Sequence, residues 1–385
     1  MEISKDIVYV GVNDKKIDLF EGLYEVPNGI SYNSYVILDE KIAIMDTVDA
    51  NFTEEWLENI KNVLQGRSPD YLIVQHMEPD HSASIADFMR KYSNTVIVSS
   101  EKAFLMMRGF FHKEYETRRK IVAQGDSLFL GQHVLNFISA PFVHWPEVII
   151  SYDSYEKVLF SADAFGTFGA LDTSQEWVEE ARRYYFGIVG KFGVPVQKLL
   201  KKVAELEIQM ICSLHGPVLK ENLSYYIHLY DTWSSYEPED KGIVIAYASV
   251  YGNTKKAVDY LEEKLKEKGC TSIMMIDLCR DDMSNAVAQA FRYDMLVLAS
   301  ITYNGVVFPT MREFLNNLTE RGFQNRTIAL IENGSWSATA GNVMKKMLSE
   351  CKNIQWIEPV ITIFSSMNKK NTEELEQLAE KLLSL

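Results

Sequence analysis

His76-Met77-Glu78-Pro79-Asp80-His81 is the stretch from which the rest of this chain is read. It follows Tyr71 to Gln75, an apolar run with the length of a buried strand. In an extended loop alternate side chains share a side, so His76, Glu78 and Asp80 can converge while His81 turns to the adjacent one. Two imidazoles and two carboxylates packed this closely would repel one another or stay unpaired without cations. The hexapeptide therefore reads as a metal site.

Outward from it, three further donors each end a predicted strand. His144 follows Phe137 to Phe142, Asp163 follows Val158 to Phe160, and His215 follows Ile211 to Leu214. A lone histidine at a strand end is ordinarily a satisfied polar residue, and these three gain weight only beside the hexapeptide. Together His76, His81, His144 and His215 with Glu78, Asp80 and Asp163 suffice for two adjacent divalent ions. His112, His133 and His228 lack such company, and no role is expected of them.

Around these donors the first two thirds of the chain open on short alternating segments: Ile7 to Val12, Ile17 to Tyr24, Ser31 to Leu38 and Lys41 to Thr47. Turn signals between them predict a run of β-hairpins. A helix is predicted over Thr53 to Leu64, a second from about Ser82 to Tyr92, a strand over Thr95 to Ser99 and a helix from Glu101. A second strand-rich block runs from Lys120 to about Ala162. This order predicts two sheets packed face to face with helices outside.

Ser234-Ser235-Tyr236-Glu237-Pro238-Glu239-Asp240 reads as a linker between domains expected at residues 1–236 and 241–385. Beyond it, strands at Gly242 to Ser249, Ser272 to Leu278, Tyr293 to Ser300, Thr327 to Asn333 and Ile357 to Phe364 alternate with helices, the last over Thr372 to Leu383. Five βα repeats predict a doubly wound parallel sheet of flavodoxin type. Its first βα turn is Ser249-Val250-Tyr251-Gly252-Asn253-Thr254, where backbone N–H groups, hydroxyls and a helix N-terminus suit a terminal phosphate. There is no Gly-x-Gly-x-x-Gly, so this is not a dinucleotide fingerprint; on the first βα turn of a flavodoxin-type sheet such a loop suits the phosphate of FMN. Ligands sit beyond the carboxyl ends of such strands, which adds Ser300-Ile301-Thr302-Tyr303-Asn304-Gly305 and Asn333-Gly334-Ser335-Trp336. From the latter stretch Gly334, Ser335 and Trp336 join the binding set. Tyr303 and Trp336 are candidates to stack on the flavin ring.

The 385 residues are 47% hydrophobic and 24% charged, enough to bury two cores, and the net charge is −14. That acidity argues against nucleic acid or an anionic membrane as partner. No apolar run approaches a bilayer span, and Met1 to Asp6 carries no secretory signal, so a cytoplasmic protein is expected. Cys212, Cys270, Cys279 and Cys351 form no Cys-x-x-Cys pair, as expected of thiols in a reducing compartment rather than a rubredoxin-type iron centre.

The hexapeptide resembles the His-x-His-x-Asp-His signature of the metallo-β-lactamase superfamily, with Glu78 where the hydrolases have a second His. That replacement, with Ser161-Ala162-Asp163-Ala164-Phe165-Gly166, Ser213-Leu214-His215-Gly216-Pro217 and the FMN-type second half, resembles the flavodiiron proteins over essentially the whole chain. The resemblance implies a metallo-β-lactamase-like αβ/βα sandwich followed by a flavodoxin-like sheet. It implies one iron held by His76, Glu78 and His144, a second by Asp80, His81 and His215, and Asp163 bridging them. A carboxylate in place of an imidazole adds a hard oxygen and a negative charge, which favours iron over zinc. Where the family often has Pro this chain has Ile301, and the stretch near Trp336 is shorter than the family's.

Such a protein is expected to be an oxidoreductase that reduces dioxygen to water, nitric oxide to nitrous oxide, or both. Dioxygen needs four electrons, one from each ferrous ion and two from reduced FMN, which couples the two sites. The donor is external, such as a rubredoxin or a reduced deazaflavin. The working unit is expected to be a head-to-tail homodimer or a dimer of dimers. The competing reading is a zinc metallohydrolase carrying a flavodoxin-like electron-transfer domain, against which Glu78 weighs. Tyr184, Tyr185 and Phe186 are candidates to bias the choice of gas.

Overall fold

The computed structural model describes residues 2–174 and 176–385. The chain forms two compact units that part between Asp231 and Thr232.

In the first unit a six-stranded sheet runs in the order Ile7–Tyr9, Tyr35–Ile37, Ala43–Met45, Tyr71–Ile73, Val96–Ser99 and Arg119–Ile121. Its first three strands pair antiparallel and the others in parallel. A five-stranded sheet, Ser127–Phe129, Val134–Ser139, Ile149–Asp153, Val158–Phe160 and Met210–Cys212, is antiparallel except for its last pair. Strand alternation then builds two layers. Ala43 and Met45 face a core shared with Phe137, Ile149 and Phe160, whereas Ile44 faces the other way with Val36, Leu72 and Ile97. On that outer side lie Trp56, Ile60 and Leu64 of the helix Thr53–Leu64, Phe88 of Ile85–Lys91, and Phe104 and Met107 of Glu101–Phe111.

The predicted hairpin segments are broken more finely than their periodicity suggests. Between Ile30–Tyr32 and Tyr35–Ile37 the buried Asn33 leaves the ladder, and its side-chain amide donates to the carbonyls of Ser213 and Gly216. That bond holds the His215 loop against the first sheet. The expected helix from Ser82 is two, Pro79–Ser82 and Ile85–Lys91.

In the second unit five parallel strands run in the order Ile273–Asp277, Asp240–Ala248, Tyr293–Tyr303, Thr327–Asn333 and Gln355–Ile363. This is the doubly wound, flavodoxin-like order expected from sequence. The last helix starts three residues earlier than its apolar pattern, at Lys369, because Asn368 and Asn371 form a capping box. The linker is also shorter than its polar composition suggests. A helix, Leu223–Ser235, runs into it from one side and Asp240 already opens the first strand, leaving residues 236–239 between.

Candidate metal centre and flavin cleft

The seven predicted metal donors come together at the strand ends of the first unit. His76 Nε2 lies 3.2 Å from Glu78 Oε2 and 3.1 Å from Asp163 Oδ2. His144 Nε2 lies 3.0 and 3.2 Å from the same two oxygens. On the other side His81 Nε2 and His215 Nε2 are 3.0 Å apart and lie 3.2 and 3.3 Å from Asp80 Oδ2. Asp163 turns its Oδ1 toward these two, at 3.5 and 3.7 Å. One carboxylate thus faces two donor groups, one with each oxygen. Neighbouring ligands on a cation with bonds of about 2.1 Å stand roughly 3.0–3.4 Å apart, and most of these separations fall in that range.

The tautomers agree. His76 Nδ1 donates to Glu147 Oε1 at 2.9 Å and His215 Nδ1 to the Ser31 carbonyl at 2.7 Å, so in the neutral rings both Nε2 atoms carry lone pairs. Both oxygens of Asp163 and both of Asp80 are buried without a hydrogen-bond partner. Convergent lone pairs and orphaned buried carboxylates are what divalent cations satisfy.

Local geometry fixes each donor. Asp163 sits in a turn whose flanking Ala162 (φ 51°) and Phe165 (φ 67°) are left-handed, a strained arrangement held by the Phe165 N–H donating to Tyr230 Oη and Leu214 N–H donating to the Ala162 carbonyl. Glu147 accepts from the Met77 N–H as well as from His76, which clamps the hexapeptide's start to the His144 loop. The sequence reading passed over Glu147, although a buried acid three residues after a ligand in the same loop is a usable signal.

The residues expected to hold a flavin gather at the carboxyl edge of the second unit's sheet, around a cleft of about 370 Å³. Ser249, Val250, Tyr251, Asn253, Thr254, Ile301, Thr302, Tyr303, Asn304, Gly305, Gly334, Ser335 and Trp336 line it. Ser300 and Gly252 do not. Ser300 is buried and its hydroxyl donates to the Ile301 carbonyl, while Gly252 (φ 83°) supplies the left-handed turn that starts the helix Asn253–Glu267. Ser337 and Ser365 line the cleft too and were not foreseen, although Ser365 follows the fifth strand's carboxyl end. The Thr254 hydroxyl is buried with no partner, and the rings of Tyr251 and Trp336 are 92% and 93% exposed. An orphaned hydroxyl beside a helix N-terminus and bare aromatic faces above it suit a phosphate carrying a planar ring.

Residues 30–216 match the family model for the ODP family beta lactamase and residues 244–365 that for a flavodoxin domain. The chain is 30% identical over 352 residues to the anaerobic nitric oxide reductase flavorubredoxin of Vibrio vulnificus, covering 88% of this chain and 71% of that protein. This chain belongs to the flavodiiron protein family. Its fold superposes on the flavodiiron protein of Giardia intestinalis with a TM-score of 0.91 at 25% identity, covering 100% of this chain and 96% of the other. Rubredoxin oxygen:oxidoreductase from Desulfovibrio gigas gives 0.92 at 24% identity, covering 100% and 98%. The cofactors of a flavodiiron protein, FMN and a pair of irons, fit the two donor sets described above.

Aromatic rings wall this flavodiiron site. Phe20, Tyr32 and Tyr184 approach His215 with centroids 5.5, 5.9 and 5.5 Å away, and Trp145 meets His76 at 5.3 Å. Burial, then Asp163, Asp80 and Glu78, hold the Tyr184 hydroxyl far above its usual pKa, so it stays protonated. Tyr185 instead packs on Tyr230 and Phe186. At the rim Glu21, in a left-handed turn (φ 52°), lies against Glu78, and burial with that neighbour pushes its carboxyl up to about 8.

Protons occupy the imidazoles when metal does not. Burial opposes charge on His144, yet Asp163 and Glu78 outweigh it and push its pKa up to about 9. His76 and His215 are raised against burial in the same way, by Asp163 and by Asp80 respectively. A raised imidazole pKa means that a proton must leave before a cation binds, so iron affinity rises with pH below that pKa. Between pH 6 and pH 8, release of even one proton strengthens binding about 100-fold, measurable by chelator competition. A pH-independent affinity would contradict this.

Proposed function

We propose that this enzyme is an oxidoreductase that reduces dioxygen to water, nitric oxide to nitrous oxide, or both, with electrons from an external donor such as a rubredoxin or a reduced deazaflavin. In this reading His76, Glu78 and His144 hold one iron, Asp80, His81 and His215 the other, and Asp163 bridges. When bound, the iron pair and FMN supply the electrons and the open coordination positions that a small gas requires. The carrying observation is the convergence of Glu78 and Asp163 with His76 and His144, an oxygen-rich donor set that suits iron better than zinc. The name of the Vibrio relative supports nitric oxide as a substrate.

The chain's own residues do the rest. The four imidazoles and Asp163 are at most 9% exposed, whereas Glu78 and Asp80 reach 16% and 11%, so a gas approaches along the Glu78–Asp80 rim. Phe20, Tyr32 and Trp145 keep bulk water off the other sides, which strengthens every charge interaction inside. Tyr184 holds a proton beside Asp163 and Asp80, where oxygen reduction consumes protons. Ser249, Asn253 and Thr254 bind the flavin phosphate, and Tyr303 and Trp336 cover its ring. We assign the metal centre to residues 1–236 and the flavin to residues 241–385. Among the described residues no helix is long and apolar enough to cross a membrane.

Purified protein is expected to hold about two irons and one FMN per chain, and the reduced form to turn over under anaerobic conditions with one gas or both. Parallel assays with dioxygen and nitric oxide set the preference. Full activity in a preparation containing zinc alone would overturn the reading.

A further inference from the structure

A third cluster lies away from both sites, where the two sheets of the first unit meet at one edge. Asp6 directly precedes the strand Ile7–Tyr9 of the six-stranded sheet. His133 directly precedes Val134–Ser139 of the five-stranded sheet, and Glu156 lies in the turn after Ile149–Asp153. One ligating atom from each of Asp6, His133 and Glu156 lies within 4.8 Å of the other two, and His133 Nε2 is 3.8 Å from Asp6 Oδ2.

The imidazole is built in rather than draped on the surface. His133 is 1% exposed, its backbone N–H donates to Asp39 Oδ2 at 2.7 Å, and its Nδ1 donates to the buried Asp153 at 2.8 Å. Asp153 is itself held by the N–H groups of Val134, Tyr155 and Glu156. With Nδ1 committed to a carboxylate, Nε2 points at Asp6 and Glu156, and it is buried without a hydrogen-bond partner. Glu156 Oε2 is likewise buried and unpartnered. Among the described residues no lysine or arginine pairs with Asp6, Asp153 or Glu156, so one proton on His133 would leave the cluster strongly negative. A carboxylate that orients one ring nitrogen while the other faces two free carboxylates is the arrangement of a metal-ligating histidine.

We propose that His133 Nε2, Asp6 and Glu156 form a third metal site for a divalent first-row transition ion, tying the first strand of one sheet to two turns of the other. One imidazole and two carboxylates leave a fourth position for water on the side where Asp6 is exposed. The ion would be structural, since it joins segments far apart in the chain and opens onto no cleft lined by the residues above.

The test is zinc titration of the iron- and FMN-loaded protein by calorimetry, with iron release followed throughout and magnesium as control. The expected result is about one zinc bound per chain without loss of iron, and a rise in the unfolding temperature of the wild type. Glu156→Gln and Asp6→Asn, near-isosteric changes at partly exposed positions, should each weaken that binding at least about tenfold and remove the thermal shift, with gas turnover unchanged. Asp153→Asn should weaken it about 10- to 100-fold through the ring orientation alone. Any of three outcomes overturns the site: no saturable zinc binding, zinc uptake matched by iron release, or equal binding by wild type and both ligand variants. Equal occupancy by magnesium would overturn the assignment to a transition ion.

Discussion

Asp163→Ala purifies with its FMN but without iron, and its gas turnover drops to the rate of buffer, a loss of at least about 10³-fold against an ordinary kcat. Asp163 alone presents an oxygen to each donor group, at 3.1 and 3.2 Å to His76 and His144 and at 3.5 and 3.7 Å to His81 and His215. Removing it costs both cations a ligand and removes a negative charge that offsets the two buried metal ions. The residue lies in a strained turn whose backbone bonds to Tyr230 and Cys212 do not involve its side chain, so the fold survives. Flavin binding resides in a separate compact unit and stays intact. Metal analysis and flavin absorbance on the same sample decide the matter. Joint loss of iron and FMN would show that the units are not independent.

The metal hexapeptide was legible because its chemistry is local: six consecutive residues carry four donors. The alternation expected of an extended loop was not met, because the chain turns helical at Pro79 and Asp80 joins His81 and His215 instead of His76 and Glu78. His144, Asp163 and His215 were legible because each ends a strand that its own apolar run reveals. The groups that orient them were not. Glu147, Ser31 and Asn33 act through contacts with residues 70 to 184 positions away, and no periodicity marks them. His133 shows the same limit more sharply. It has no company in sequence because its acidic neighbours come from three separate segments, one with Asp6, one with Asp39 and one with Asp153 and Glu156. In the second unit the βα alternation revealed the five parallel strands: three are largely buried runs, and the two edge strands, Ile273–Asp277 and Gln355–Ile363, are apolar although only partly buried. It did not reveal the two-residue strand Val306–Val307, which pairs antiparallel with Tyr293–Tyr303. It could not show that Ser300 turns inward, because strand-end position does not specify which face a side chain takes. The connector read longer than it is because polar residues are equally at home at a helix end and a strand start, as Ser235 and Asp240 demonstrate.

Two inactive variants are expected to restore activity when mixed. One carries His81→Ala with Asp163→Ala and lacks iron; the other carries Asn253→Ala with Thr254→Ala and lacks FMN. The expectation follows from a head-to-tail dimer in which the flavin of one chain serves the irons of its partner. The helix Leu223–Ser235 crosses the boundary between the units, and residues 236–239 join it to Asp240–Ala248, the second unit's first strand. Each site opens at the strand ends of its own sheet, within its own compact unit. A two-fold symmetric head-to-tail pair would bring each flavin to the irons of the other chain. In a mixed dimer one intact flavin then meets one intact iron pair. Random reassembly makes about half of all dimers mixed, each with one of two functional pairings. Activity should therefore recover to about a quarter of wild type per chain. Exchange of chains is verified by differential tagging before the assay. If tagged mixed dimers form and turnover stays at the buffer rate, electrons pass within a chain, and the head-to-tail arrangement is wrong.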